Sequence, residues 1–492
     1  MKIMTNSYKT IIVISCMGFI QSTAQAVDWV ITPGVVVAET YLDNVTLADN
    51  NKLDDFVTEV NPTLRITRNS RGLTVLANYQ MQNTLYADES DFNDTYHSFD
   101  GYVSANVIKD LFFVDLNGTY GQQNISSLGA MATNNLNVTG NRTNVSSARI
   151  KPYVDYNIKR YANLNAGVEL GTVRYDRGLN DSDLTRYNFD LTSGPKFNRM
   201  NWAVNFYRNE IDYDQRPDSI LQRSLLTLGY QASRKIRLLA TGGYDDNSFI
   251  TGPTISDGTS GSSWSVGAEW KISPLTSLEA SFGERYYGKT GSFLFTKRGR
   301  RTSLSLSYLE DITVSSANQF GVNLFQTTDQ FGGAIDPIDA GGNDTDPGST
   351  PPTANSDLSD ASISSEFYVR KRLQGGVQFT TAKTTLSLDA YKEDRDYQIS
   401  GLTEKVTGAY GSVNWRISAR TTAILSGSWI NRKYRTGTDE DDIYNVRAYI
   451  THLLRKNLTG LIGYGYLERD SNIAGSDYKQ NAGRISLRWT YR

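Results

Sequence analysis

The chain has 492 residues, 50 Lys+Arg against 52 Asp+Glu for a formal charge of −2, one cysteine and two histidines. So few thiols and imidazoles exclude zinc sites of several Cys and His ligands, and balanced charge excludes a strongly basic nucleic-acid binder. Aromatic residues at 11% argue against disorder throughout, while 39% hydrophobic residues falls short of the roughly 45–50% of a typical globular chain.

The first residues read as an address. Lys2 and Lys9 precede a short apolar run over residues 11–20, and Ala24-Gln25-Ala26 is a small-residue cleavage site. The spacing predicts a secretory signal peptide over residues 1–26, with cleavage before Val27. The run is too short for a membrane-spanning helix. A lipoprotein box at Val13-Ile14-Ser15-Cys16 would leave almost no apolar stretch before the cysteine. Cys16 departs with the signal, so residues 27–492 contain no cysteine. No later apolar run approaches the roughly 18 residues of a spanning helix, so any membrane crossing must use strands.

From Trp29 onward the chain alternates with period 2. Leu73, Val75, Ala77, Tyr79 and Met81 alternate with Thr74, Leu76, Asn78, Gln80 and Gln82, as do Phe112, Val114 and Leu116 with Phe113, Asp115 and Asn117. Trp264, Val266, Ala268 and Trp270 repeat the pattern, and Ile485, Leu487, Trp489 and Tyr491 close it. Such alternation means strands with one apolar and one polar face. Tight turns are expected near Ser70, Asp110, Arg160, Asn198, Arg234, Pro274, Gly299, Lys383, Ala419 and Lys456, with a weaker hairpin near Lys289-Thr290. Longer polar links separate them, including residues 123–141 and 247–262.

Short turns at one end and longer loops at the other predict an all-β fold. It is a single large transmembrane antiparallel β-barrel of about 22 strands (18–22) filling residues 27–492, with short periplasmic turns and longer extracellular loops. Closure satisfies every backbone polar group, which an open sheet in lipid does not. A soluble sandwich or propeller would alternate too, but with a denser Val/Ile/Leu core. Trp270, Trp415 and Trp489 beside turns suit interfacial girdles. The final amphipathic strand resembles the signal read by barrel-insertion machinery. The first strand follows the leader directly, which argues against the plug of a TonB-dependent transporter and the passenger of an autotransporter.

Residues 315–365 break the rhythm. From Asp311 through Val369 there is no Lys or Arg but there are nine acidic residues, among them Asp336, Asp339, Asp344 and Asp346. Loops this long are functional or unstructured, and this one is expected at the surface or folded into the lumen. Asn343, Asp344 and Asp346 lack the full spacing of a calcium loop, so no metal and no cofactor is assigned. With the apolar set facing lipid, the pore-lining candidates are Arg149, Lys151, Asp155, Glu169, Arg186, Asp190, Tyr207, Glu279 and Arg285. Both charge signs with amides and tyrosines suit a neutral or mixed hydroxylated solute better than a simple ion filter. Barrel enzymes that hydrolyse esters or peptides use His beside Ser or Asp. Only His97 and His452 are available, and no catalytic residue is assigned.

Several stretches carry a resemblance. Ile31-Thr32-Pro33-Gly34, Tyr41-Leu42-Asp43-Asn44-Val45 and Asn61-Pro62-Thr63-Leu64 form the first hairpin. The most specific run extends from Trp270-Lys271-Ile272-Ser273-Pro274-Leu275-Thr276 through Phe282-Gly283-Glu284-Arg285-Tyr286-Tyr287-Gly288 to Arg300-Arg301-Thr302. Trp415-Arg416-Ile417-Ser418-Ala419-Arg420-Thr421 is a second copy. Together they resemble the outer-membrane barrel family associated with exosortase/PEP-CTERM systems, related to β-barrel porins of exopolysaccharide clusters. Leu275 stands where the family's turn carries Arg. The resemblance implies a non-enzymatic porin-like channel in the outer membrane of a Gram-negative bacterium, linked to exopolysaccharide export. Its implied partners are outer-membrane lipid and lipopolysaccharide, polysaccharide and periplasmic export components. The alternatives are a structural or binding barrel that retains polysaccharide or sorted protein without conducting, and a barrel enzyme.

Overall fold

The computed structural model describes residues 29–177, 179–251, 254–255, 259–314, 366–435 and 437–491. The expected leader and the acidic segment with Asp336, Asp339, Asp344 and Asp346 lie outside the described residues. The first strands are β1 Val30–Leu42, β2 Asp55–Asn69, β3 Leu73–Tyr86, β4 Asp94–Ile108, β5 Phe112–Asn124, β6 Arg142–Ile158 and β7 Ala162–Tyr175. Next come β8 Ser182–Ser193, β9 Met200–Tyr213, β10 Ser219–Gln231, β11 Ile236–Ser248, β12 Gly261–Ser273, β13 Thr276–Arg285 and β14 Gly288–Arg298. The last are β15 Thr302–Val314, β16 Phe367–Thr380, β17 Thr384–Tyr397, β18 Thr403–Arg416, β19 Thr421–Lys433, β20 Glu440–Arg455, β21 Leu458–Ser471 and β22 Tyr478–Thr490.

These make one 22-stranded antiparallel sheet in which each strand pairs with its sequence neighbours. β1 also pairs with β22, from Gly34 opposite Thr490 to Leu42 opposite Ala482, so the sheet closes into a barrel. Closure leaves no edge strand. At the seam Gly34 is closely packed: a Cβ there would lie 2.8 Å from Thr63 Oγ1 and 2.9 Å from the Trp489 carbonyl.

All ten expected tight turns join strand pairs at one end, such as 70–72, 274–275 and 456–457. The remaining connections gather at the other end. The weaker hairpin is displaced from the expected Lys289-Thr290, which lie inside β14. Its two connecting residues are Tyr286 and Tyr287, because Gly288, at φ +113°, supplies the backbone turn that most side chains disfavour.

The period-2 pattern sorts side chains as its residues dictate. On β22, Ile485, Leu487 and Trp489 face outward and are exposed, while Arg484, Ser486 and Thr490 are buried on the inner face. On β12, Trp264, Val266 and Trp270 face outward, and the Trp264 ring meets Phe282 edge-on at 6.2 Å. Burial is uneven along the barrel. Near the tight turns the inner face is half-buried, whereas near the longer loops it is closed over by three apolar clusters. One joins Val145, Val173, Leu184, Ile211 and Leu221 to Phe249 and Phe367, whose rings stack at 4.7 Å. The other two are built around residues 125–141.

Candidate functional site

The link between β5 and β6 leaves the wall and enters the barrel. Met131 and Ala132 pack with Tyr391, Val406, Ile430, Ile443, Leu467 and Tyr478, which belong to β17–β22. Because those strands lie well around the ring from β5 and β6, the contact runs through the interior and identifies the inner face. Leu136 packs with Leu42, Val45, Val57 and Tyr86 on the way.

Side chains of the wall hold this segment by its backbone carbonyls. Arg469 donates to the carbonyls of Gly129 (2.7 Å) and Leu128 (3.3 Å), and Tyr434 donates to that of Ser127 (2.7 Å). Arg469 also pairs with Asp441 at 2.6 Å, both side chains fully buried, and Tyr434 and Ser471 donate to the same carboxylate. Within the segment, Asn141 accepts from the Ser126 amide and donates to the carbonyls of Ser126 and Ala130, folding it into a compact unit. Asn135 donates to Gln82 and Gln122 of the near wall.

The sequence gives one sign of this seat: Leu128, Met131, Leu136 and Val138 are apolar within a link otherwise rich in Asn, Ser, Thr and Gly. Period-2 reading treats a link as surface and passes over it. Alternation equally passes over which charges of the inner face are buried. Arg395 and Glu393 pair at 2.5 Å, Arg432 lies 3.5 Å from Glu404, and Arg484 pairs with Glu59.

The nine pore-lining candidates named from the sequence fall on the inner face, in separate sectors. Arg149 on β6 lies 3.5 Å from Glu169 on β7 and donates to Asn117 on β5 at 3.0 Å. Arg186 on β8 reaches Glu169 from the other side, also at 3.5 Å, and donates to Asn209 at 2.8 Å. Lys151 lies 5.4 Å from the Tyr153 ring centroid. Asp190 accepts from Asn205 at 2.7 Å, and Asp155 stands opposite Asn165. In another sector Arg285 binds Asp245 through two nitrogens, at 2.8 and 3.2 Å, and donates to the Tyr287 hydroxyl. Tyr207 stands opposite Arg223, which lies 3.4 Å from the same Asp245. Glu279 stands opposite Glu269, which pairs with Arg237 at 2.6 Å.

A recess of about 440 Å³ opens in the first sector, lined by Leu76, Asp100, Tyr102, Asp115, Asn117, Arg149, Lys151 and Glu169. Sequence reasoning singled out only Arg149, Lys151 and Glu169 of these. The two histidines lie on the outer face. His97 Nδ1 is 2.8 Å from the Tyr79 hydroxyl, and His452 Nδ1 is 2.8 Å from Thr421 Oγ1.

Residues 377–491 match the family model described as "Putative beta-barrel porin 2", which covers the last strands and supports a relationship with β-barrel porins. No curated protein matches the chain. Among solved structures, a mutant of the ferric enterobactin receptor PfeA from Pseudomonas aeruginosa is similar with a TM-score of 0.52 and 10% identity, over 94% of this chain and 80% of that one. The siderophore receptor PirA from Acinetobacter baumannii gives 0.51 and 8% identity over 93% and 80%. The FrpB iron transporter from Neisseria meningitidis, in its apoprotein form, gives 0.51 and 10% identity over 94% and 81%. At such identities the likeness is one of fold: large closed barrels.

Proposed function

We propose that the protein is a porin-like channel of the outer membrane of a Gram-negative bacterium, with the tight turns in the periplasm and the longer loops outside. One observation carries this reading. The outer wall is apolar, and the inner wall is polar and charged in both signs, with residues 125–141 seated in the interior as a constriction. Lipid favours the first surface and water the second. The girdle of Trp264, Trp270, Trp415 and Trp489 suits the two interfaces of a bilayer. The partners on the outside are therefore lipid and lipopolysaccharide. Both histidines face outward, away from the polar interior, so the reading is non-enzymatic.

The solute follows from the wall. Both signs are interleaved on the inner wall, as where Glu169 lies between Arg149 and Arg186, and such a wall favours uncharged hydroxylated solutes over ions of one sign. The resemblance of the Trp270–Gly288 stretch to barrels of exopolysaccharide clusters points the same way, to passage of surface polysaccharide.

A second reading is a non-conducting barrel that binds or retains polysaccharide. It is favoured by the three apolar clusters that close over the loop end. Planar-bilayer recording separates the two. Purified folded protein should insert with discrete conductance steps. Folded protein that inserts without any conductance overturns the channel and leaves the binding barrel.

A further inference from the structure

We propose that the recess lined by Leu76, Tyr102, Asp115, Asn117 and Lys151 is a binding subsite for an uncharged sugar ring. The inference rests on the polysaccharide reading and places it at particular side chains. A pyranose has two kinds of surface, C–H faces that are apolar and an edge of hydroxyls that donate and accept. The recess offers the complement of both. Leu76 on β3 and Tyr102 on β4 stand opposite each other in the strand register and give an apolar platform. Asp100, Asp115 and Asn117 supply acceptors for hydroxyl donors, and Lys151 a donor for hydroxyl or ring oxygen. A volume of about 440 Å³ lies within the roughly 300–1,000 Å³ of small-molecule sites.

Charge narrows the class. The recess holds three carboxylates and two cations, and Arg149 is already engaged by Glu169 and Asn117. An anionic ligand would meet more negative than positive charge. A neutral ring meets ionised acceptors, whose hydrogen bonds are stronger than neutral ones. Beside the recess the Phe113 and Tyr153 rings stack at 5.2 Å with 15° between planes, and Lys151 lies against Tyr153. These rings extend the apolar track along β5 and β6 toward the tight turns, a direction in which successive sugar units can be passed.

The test measures binding without conduction, so its failure and that of the channel are separable. Full barrel in an amine-oxide detergent, which carries no sugar, is titrated calorimetrically with isomaltohexaose. Polyethylene glycol of matched size, hexagalacturonate and trialanine serve as controls for bulk, negative charge and zwitterions. Isomaltohexaose should bind, and the controls should bind at least about tenfold more weakly. Tyr102→Leu and Asp115→Ala should each weaken it about tenfold, while Leu116→Ala on the outer face of β5 should not change it. Each variant is checked for the gel shift on heating that marks a closed barrel, and two sites on different strands guard against loss of one fold. No binding overturns the proposal. So does unchanged affinity in both folded variants, or equal or tighter binding of hexagalacturonate or trialanine.

Discussion

Arg469 shows how one side chain can fix a whole segment. It is 1% exposed, its partner Asp441 is fully buried, and its two terminal nitrogens also donate to the carbonyls of Leu128 and Gly129. Removing one member of a buried ion pair costs about 3–5 kcal/mol, because the other is left charged and dry. Here that cost falls on the seat of residues 125–141 as well as on the wall, since Asp441 keeps its bonds from Tyr434 and Ser471. Arg469→Ala should therefore accelerate amide hydrogen exchange across 125–141 while β19–β21 remain protected. Unaltered exchange in that segment would mean the apolar packing of Met131 and Ala132 suffices to hold it. At this scale the sequence is legible where alternation alone decides orientation. Arg149, Lys151 and Glu169 were placed on the inner face by parity. Asp115 and Tyr102 obey the same parity, but nothing in a single strand says that five strands bring them to one recess. Arg395, Glu393 and Arg432 are polar at inward positions, and alternation does not say that they are buried there.

At the scale of elements, the turns carry most of the topology. Most tight turns combine polar or basic residues with a change of parity, Pro274-Leu275 being marked by its proline, and this is enough to locate ten of them and to count the strands. The hairpin after β13 lies a few residues before the expected Lys289-Thr290, and the deciding residue is Gly288, whose positive φ closes the turn after Tyr286 and Tyr287. Two predictions belong here. Ile485 lies mid-strand on the outer face and is 61% exposed there, whereas Trp489 sits beside the turn end. Ile485→Lys should destabilise the barrel in lipid vesicles by about 2–4 kcal/mol, and Trp489→Lys by less, as the cost of a charge falls from the bilayer midplane to the interface. Denaturant titration in vesicles measures both, and equal penalties at the two depths would argue against β22 crossing the membrane. Sidedness has its own test. Cys16 is the chain's one cysteine, so Ala419→Cys in the turn between β18 and β19, placed in a Cys16→Ser background, gives one thiol. An impermeant thiol reagent should miss it on intact cells and reach it after the outer membrane is permeabilised. Labelling on intact cells would invert the barrel.

For the whole molecule, closure and filling are separate problems. Closure comes from the sheet: 22 strands with the β1–β22 seam pair every strand, and their outward residues need nothing but lipid. Filling comes in two of the three apolar clusters from residues 125–141, whose contacts lie mostly with β17–β22 and with the β1–β2 link through Leu47, Val45 and the Val138 amide. The barrel should therefore survive their loss. Replacing residues 128–138 with a short Gly-Ser linker leaves every strand pair intact, and the protein should still show the gel shift of a folded barrel. It should also conduct more, because a segment that crosses the interior is removed at the end where the inner face is most buried. Arg469, paired with Asp441, would then lose its carbonyl partners on Leu128 and Gly129 and face water. Salt screens such charges over about 10 Å at 0.1 M, so ion selectivity of the shortened protein should depend on ionic strength more than that of the intact one. If the shortened, folded barrel conducts no better, the constriction lies elsewhere and residues 125–141 serve to stabilise the wall. A rise in conductance without any change in selectivity would mean that the segment narrows the passage but does not cover charges that passing ions sense.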